Sequence, residues 1–309
     1  MTAATAELVE DGGAAASSAE YFRSQPFLQA ERVTHTLRVK GPEGEVGLPV
    51  IVREIPGTGL IDAASPYGYP GGDGAHGMDP AAVDWRGTGL VSLFVRDRIG
   101  SATCLAGGTL RTQVQVADPA LPRKSRMSDR QQIRRNLRDG WRVDTVQGPE
   151  VTPEQRGAFE RAYNQTMERT SAAERYFFGG EYFEAATGSD RLWLLLAVAP
   201  DGRAGAGALA TLSDGFLHYY LSGTGDESLT ASPMKNLIES MIELAERLEV
   251  PLNLGGGAAP GDSLEAFKRG FANREEPFHT HEVVCDPEAY AELSSGRPDG
   301  GFFPAYRAP

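Results

Sequence analysis

The chain has 309 residues and a formal net charge of −12; 40% of its residues are hydrophobic and 23% charged. That length suits about two domains of ordinary size, and the balance is that of a globular protein. The acidic total argues against a protein that coats DNA, and no apolar run approaches the roughly 18 residues that span a bilayer.

The opening stretch, MTAATAELVEDGGAAASSAE, has neither a basic start nor an apolar core, so it is no secretory signal. Residues 1–18 read as a frayed tail. A first lobe is expected over residues 19–150. In it HTLRVK and VGLPVIVREI flank GPEGE and read as a hairpin. Next comes DAASPYGYPGG, which sets Tyr67 and Tyr69 among prolines and glycines. Such a loop is rigid, and its phenols could line a pocket; purely structural loop aromatics fit equally well. LVSLFVR and LRTQVQV are further strands. Residues 123–142, RKSRMSDRQQIRRNLRDGWR, then hold eight basic and two acidic side chains. SDRQQIRRNLRDG reads as a short helix with Ser128 as N-cap and Gly140 as its stop. On one helix Arg126, Arg130, Arg134 and Arg138 form a drifting stripe, with Arg135 beside it. The stripe suits phosphates of RNA or of a nucleotide-linked substrate, and a solvated face explains it as well. WRVDTV is one more strand.

A second lobe is expected over residues 151–297. Thr152, Pro153 and Gln155 make a capping box that opens a long helix, with Phe159, Ala162, Tyr163, Thr166 and Met167 on one face. RLWLLLAV, AGAGALATL and FLHYYLSGT follow as a three-strand meander. SPMKNLIESMIELAERL is an amphipathic helix capped by Ser232. Then come the strand PLNL, a glycine run, a short helix and a last strand, PFHTHEVVC. The order of helix, meander, helix, strand, helix and strand matches an acyltransferase fold of the GNAT type, and the first half has similar element types in a looser form.

Three stretches carry chemistry. The glycine run before DSLEAFKRGF lacks the lysine of a phosphate-binding Walker loop, and Asp262 stands where it would repel phosphate. Its glycines read as a turn. In the helix that follows, Leu264, Phe267 and Phe271 share a face, and Lys268 borders it. There its ammonium could stabilise an oxyanion, or it could be a surface lysine lying along the apolar stem. In FLHYYLSGT, alternation sets His218 and Tyr220 on one face, a possible acid/base or substrate-positioning pair, and Leu217, Tyr219 and Leu221 on the other. Cys104 and Cys285 make neither a metal spacing nor a disulfide framework and suit a cytoplasmic protein. His35, His76, His279 and His281 are scattered, so no metal and no cofactor are expected. Without a G-x-S-x-G elbow or a cysteine nucleophile, direct transfer between two bound substrates is the expected chemistry.

Taken together, SPYGYPGG, YNQTMERTSAAERYFFGGEYF, LHYYLSGT, LNLGGG, FKRGF and the terminal FFPAYR resemble the FemABX-like proteins, over about residues 20–307. The resemblance implies an α+β fold of two GNAT-like lobes with mixed sheets flanked by helices. It also implies an aminoacyltransferase with aminoacyl-tRNA as donor and a peptide or peptidyl-nucleoside amine as acceptor. Phe267-Lys268 matches the family's phenylalanine–lysine pair, whose lysine sits at the active site. The basic segment (Arg126, Arg130, Arg134, Arg135, Arg138) resembles a family region, with a role in holding tRNA or substrate phosphates. Tyr67, Tyr69, Tyr220 and Phe267 are then expected to bind substrate, and Lys268 and His218 to serve catalysis. Residues 298–309 are expected to return to the first lobe.

The chain departs from the family in three places. The tyrosine loop ends in Pro70-Gly71-Gly72, the charged heptads of a coiled-coil arm are missing, and no Q/R-x-x-G-x-G/A loop follows LHYYLSGT. The last departure favours aminoacyl-tRNA over acyl-CoA as donor. The acceptor is expected to be a natural-product or cell-wall peptide, and the protein a monomer. An acyl-CoA-dependent N-acyltransferase and a non-catalytic binding protein on the same fold are the alternatives.

Overall fold

A computed structural model describes residues 4–42, 44–257, 259, 261–297 and 301–308. The chain forms two compact units. One joins Met1–Arg111 to Pro277–Pro309; the other is the continuous stretch Thr112–Glu276.

The first unit begins with a strand where a frayed tail was expected. β1 (Ala4–Val9) buries Ala4 and Ala6 and pairs antiparallel with the strand that follows helix α1 (Gln25–Ala30). That strand, β2 (His35–Gly41), forms the expected hairpin with β3 (Gly44–Glu54), though Glu43 of its turn lies outside the described residues. β4 (Ile61–Ala64), β5 (Asp73–Gly74), β6 (Val83–Asp84) and β7 (Leu90–Arg96) complete this part of the unit.

In the second unit the elements run β8 (Thr109–Ala117), α2 (Met127–Arg138), β9 (Arg142–Gln147), α3 (Pro153–Arg169) and α4 (Gly180–Ala186). The meander β10 (Leu192–Val198), β11 (Ala204–Ser213) and β12 (Phe216–Thr224) follows. Then come α5 (Met234–Leu248), β13 (Leu252–Gly255) and α6 (Ser263–Arg269). The chain returns to the first unit through β14 (Arg274–Val284) and α7 (Pro287–Ser294).

The expected boundary at residue 150 therefore moves to residue 111. The reason is pairing: all six residues of β9 pair with β10, and Asn136 of α2 donates to Asn236 of α5 at 2.7 Å. The second boundary moves from 297 to 276, because Thr280–Val284 of β14 pair with β7. Near the end of the chain, Tyr306 Oη meets Ser92 Oγ at 2.7 Å and donates to Asp62 at 3.1 Å, with Arg307 on the same carboxylate.

Sheet order in the second unit is β8-β13-β12-β11-β10-β9. One face carries α5, whose Leu237, Ile238, Met241, Ile242, Leu244 and Ala245 are buried as their spacing predicts. The other carries α3 with its capping box intact. Gly223 allows α3 to close on β12: a Cβ there would stand 2.3 Å from the Ala162 carbonyl oxygen. Two expected caps shift. Arg126, not Ser128, holds the N-cap position of α2, and Pro233 precedes α5 while Ser232 takes a left-handed conformation. Among the described residues no helix is long and apolar enough to cross a membrane, and no coiled-coil arm is present.

Candidate active site

The glycine run is a turn, and the amides that follow it are taken up by its own acids. Asp262 caps α6 by accepting from Glu265 N at 2.7 Å, and its second oxygen accepts from Ala259 N at 2.9 Å. Glu265 accepts from Gly261 N at 2.8 Å. Amides spent on carboxylates cannot cradle a phosphate. Gly255 is left-handed, and a Cβ on Gly257 would lie 2.4 Å from Asp262 Oδ1, so both positions need glycine. Ala258 and Pro260 lie outside the described residues.

The turn delivers α6 with a different inward face from the one expected. Leu264 is 42% exposed, while Glu265, Lys268, Phe271 and Ala272 are buried. Phe267 packs edge-on against Phe271, with ring centroids 5.7 Å apart. Lys268 Nζ donates to the Gly256 carbonyl at 2.8 Å and stands 5.6 Å from the centre of the Tyr219 ring. Among the described residues no carboxylate comes within ion-pair distance of it. Burial pulls its pKa from 10.5 down to about 8, opposed by the charge of Asp262.

His218 lies one strand away from that lysine's carbonyl partner. Its Nδ1 accepts from Asn253 Nδ2 at 3.0 Å, which leaves the proton on Nε2 to be donated to the Ser213 carbonyl at 3.2 Å. Burial pushes its pKa down to about 4, against the Ser213 carbonyl and the Asp214 charge. The ring is neutral, with both nitrogens engaged. Asn253 Oδ1 in turn accepts from Gly255 N at 2.8 Å. A chain of polar contacts thus fixes β12 to β13 and to the turn that presents Gly256 to Lys268. His218 holds the frame, which is a different part from the acid/base role considered for it.

A bulge in β12 follows the tyrosine that meets the lysine. Ala210 pairs with Tyr219 and Leu209 with Leu221, so Tyr220 is the extra residue. Tyr219 faces the α5 side. Tyr220 faces the other side, where its hydroxyl meets that of Tyr182 at 2.7 Å among the aromatics of α3 and α4. Sequence alternation separated the two tyrosines correctly, but it is Tyr219, and not the expected Tyr220, that meets the lysine. Asn253 was the visible clue to the frame, since a polar side chain inside a buried strand needs a partner.

Tyr67 and Tyr69 belong to the first unit. Tyr67 N donates to Glu31 at 2.9 Å, and the Arg96 guanidinium lies 6.0 Å from its ring. Tyr69 packs edge-on between Phe22 and Phe278. In their loop Gly68 has a positive φ, and a Cβ there would strike Phe22 at 2.5 Å.

The arginines of α2 divide by their contacts. Arg126 donates to the Ala266 carbonyl at 2.7 Å, so it clasps α6; Arg130 folds back onto Ser125. Arg134, Arg135 and Arg138 are exposed, and among the described residues no carboxylate pairs with them. The connection from β12 to α5 carries Asp226 and Glu227 and no glycine loop, so anions meet no ready seat before α5. Among the described residues no group of three His, Cys, Asp or Glu could hold a metal ion.

Residues 123–269 match the family model for an acetyltransferase (GNAT) domain, a span inside the second unit. No curated protein matches the chain. Among solved structures, FemX superposes with a TM-score of 0.61 at 11% identity, covering 87% of this chain and 93% of its own. The C-terminal domain of a putative lysylphosphatidylglycerol synthetase from Agrobacterium fabrum gives 0.57 at 15% identity, with 89% of each chain covered. L-PGS from Bacillus licheniformis gives 0.53 at 10% identity, with 81% and 84% covered. Two GNAT-like units in one chain, aligned with FemX along nearly the whole length, make this a protein of the FemX-like double-GNAT fold.

Proposed function

We propose that the protein is an aminoacyltransferase that moves an amino acid from aminoacyl-tRNA to an amine of a peptide or peptidyl-nucleoside acceptor. The observation that carries this reading is Lys268, a buried ammonium with a carbonyl and an aromatic ring for neighbours and no carboxylate to neutralise it. Such a charge is poised for an anion that forms in transit. The acceptor amine attacks the ester carbonyl, and Lys268 stabilises the resulting oxyanion. Collapse forms the amide and breaks the bond to the ribose oxygen. That oxygen takes up the proton lost by the amine, so no protein base is required and none is drawn from His218. Phe267 seats α6 against the core, and Tyr67 and Tyr69 remain proposed contributors to acceptor binding, whereas Tyr220, on the other face of its sheet, does not serve there. Arg134, Arg135 and Arg138, which no carboxylate pairs among the described residues, are proposed to meet tRNA phosphates, with Arg126 and Arg130 at the start of the same helix.

The acidic connection before α5 weighs against acyl-CoA as donor. The acceptor is proposed to be a peptidyl antibiotic or a cell-wall precursor. The test supplies charged tRNA and candidate amines, with and without ribonuclease. Amide formation abolished by ribonuclease is the expected result. Ribonuclease-insensitive transfer from acetyl-CoA would overturn the reading.

A further inference from the structure

The bulge in β12 spends an extra residue and interrupts a ladder that is otherwise regular, and bulges of this kind often re-aim a side chain. Here the re-aimed side chain is Ser222, which regular alternation would turn away from Tyr219. The register sets Tyr219 opposite Ala210 and Ser222 opposite Ala208, so the two lie on one face although three positions separate them. Their side chains meet: Tyr219 Oη is 2.6 Å from Ser222 Oγ and 3.2 Å from Met234 Sδ at the start of α5. The ring is thus tethered at its far end while its plane serves Lys268. A cation within about 6 Å of a ring centre is attracted to the face, more strongly when water is excluded. Parallel pairing of β12 with β13 covers only Leu217–Leu252 and His218–Asn253, so Tyr219 is the first residue of β12 beyond it.

We propose that Tyr219 is a positioning residue: its tethered ring and the Gly256 carbonyl together hold the Lys268 ammonium where β12 and β13 part. This rests on the reading of Lys268 as the oxyanion-stabilising group. The groups that face Lys268 are few. Tyr219 on β12 is titratable, but burial pushes its pKa up to about 12, so it stays neutral in the working range. Asp262 at the cap of α6 supplies a distant negative charge. Glu265, on the same inward line, is committed to Gly261 N and to Arg269. The ring is therefore the feature that a substitution can remove without removing a charge.

The test needs no tRNA. Lys268 in the free protein is labelled with an amine-directed anhydride across a pH series, and its labelling midpoint is read by mass spectrometry. Tyr219→Leu and Tyr219→Met both remove the ring face. Each is expected to lower the midpoint by about half to one pH unit, as loss of a cation–π contact disfavours the ammonium. Tyr219→Phe keeps the face and is expected to leave the midpoint near wild type. In transfer assays the Leu variant is expected to be roughly 3- to 30-fold slower. A midpoint unchanged or raised in the Leu and Met variants would overturn the proposal. So would a Phe variant that drops as far as they do, since the hydroxyl would then be responsible. A lowered midpoint together with failure to use any aminoacyl-tRNA would keep the positioning role and reject the donor.

Discussion

In the first unit the fully buried carboxylate of Asp62 is surrounded by cations: Arg53 Nε at 2.8 Å and Arg307 Nε at 2.5 Å, with the Tyr306 hydroxyl as a third donor. Asp97 and His281 are also buried together there, at 2.8 Å. In the second unit Lys268 is nearly as deep, and only a carbonyl and a ring attend it. A buried charge with a full set of partners is a structural device; one left with neutral company costs stability and is a candidate for function. The second unit also has a paired buried carboxylate, Asp129 with Lys235 at 3.0 Å, so the contrast belongs to Lys268 itself.

The largest effect is expected from breaking the paired side. Asp62→Ala strands two guanidiniums and a phenol and should destabilise the first unit by about 3 kcal/mol. Hydrogen exchange read by peptide should show protection lost around β4 and residues 305–307, with the second unit unchanged. Uniform loss across both units would refute the division. On the unpaired side, Lys268→Ala is expected to slow transfer by about 10²- to 10³-fold. Full turnover by that variant would remove Lys268 from the mechanism.

The cost of the lone charge can be read through pH. A pKa displaced from 10.5 to about 8 corresponds to roughly 3 kcal/mol of desolvation, borne wherever the lysine is charged in both states. Above pH 8 the folded protein releases the proton while the unfolded chain holds it up to 10.5, so this contribution to stability rises with pH across that window. Lys268→Met should therefore be more stable than wild type below pH 8, with the gap closing toward pH 10.5 in urea titrations. A gap that stays constant would mean that the lysine is not desolvated.

Two smaller effects sharpen the contrast from outside it. Arg134→Gln and Arg138→Gln remove exposed, unpaired charge. Each should lower the salt slope of tRNA binding by about 1 without changing the melting temperature. Thr152→Ala removes the capping box of α3 and touches neither buried charge. A loss of about 1 kcal/mol with an unchanged Lys268 midpoint is expected.

Much of the second unit was legible because its signals are local. The Thr152 capping box, the unbroken apolar run of β10 and the spacing on α5 each arise within one element. β1 was missed because its alternation of alanines is faint beside the glycines and serines that follow, and only β2 gives it a partner. Lys268 was found by its place on a helix edge and by resemblance. The facing of α6 was misjudged, since Leu264 looks apolar in sequence while the turn rotates Glu265 and Lys268 inward. Tyr219 could not be singled out. Alternation gives its side, but its approach to Lys268 and its contacts with Ser222 and Met234 exist only after folding.

The first unit is made of two stretches of chain that bracket the second. Its strand β7 gains β14 as a partner, and Asp62 gains Arg307, only from residues beyond the whole second unit. Domains made on the ribosome commonly mature from the N-terminus onward. Here the inner unit has all its residues before β14, which pairs with β7 of the outer unit, has been made. An unpaired edge is a template for wrong partners. A circular permutant that makes the outer stretches continuous in sequence is then expected to give a higher yield of folded protein.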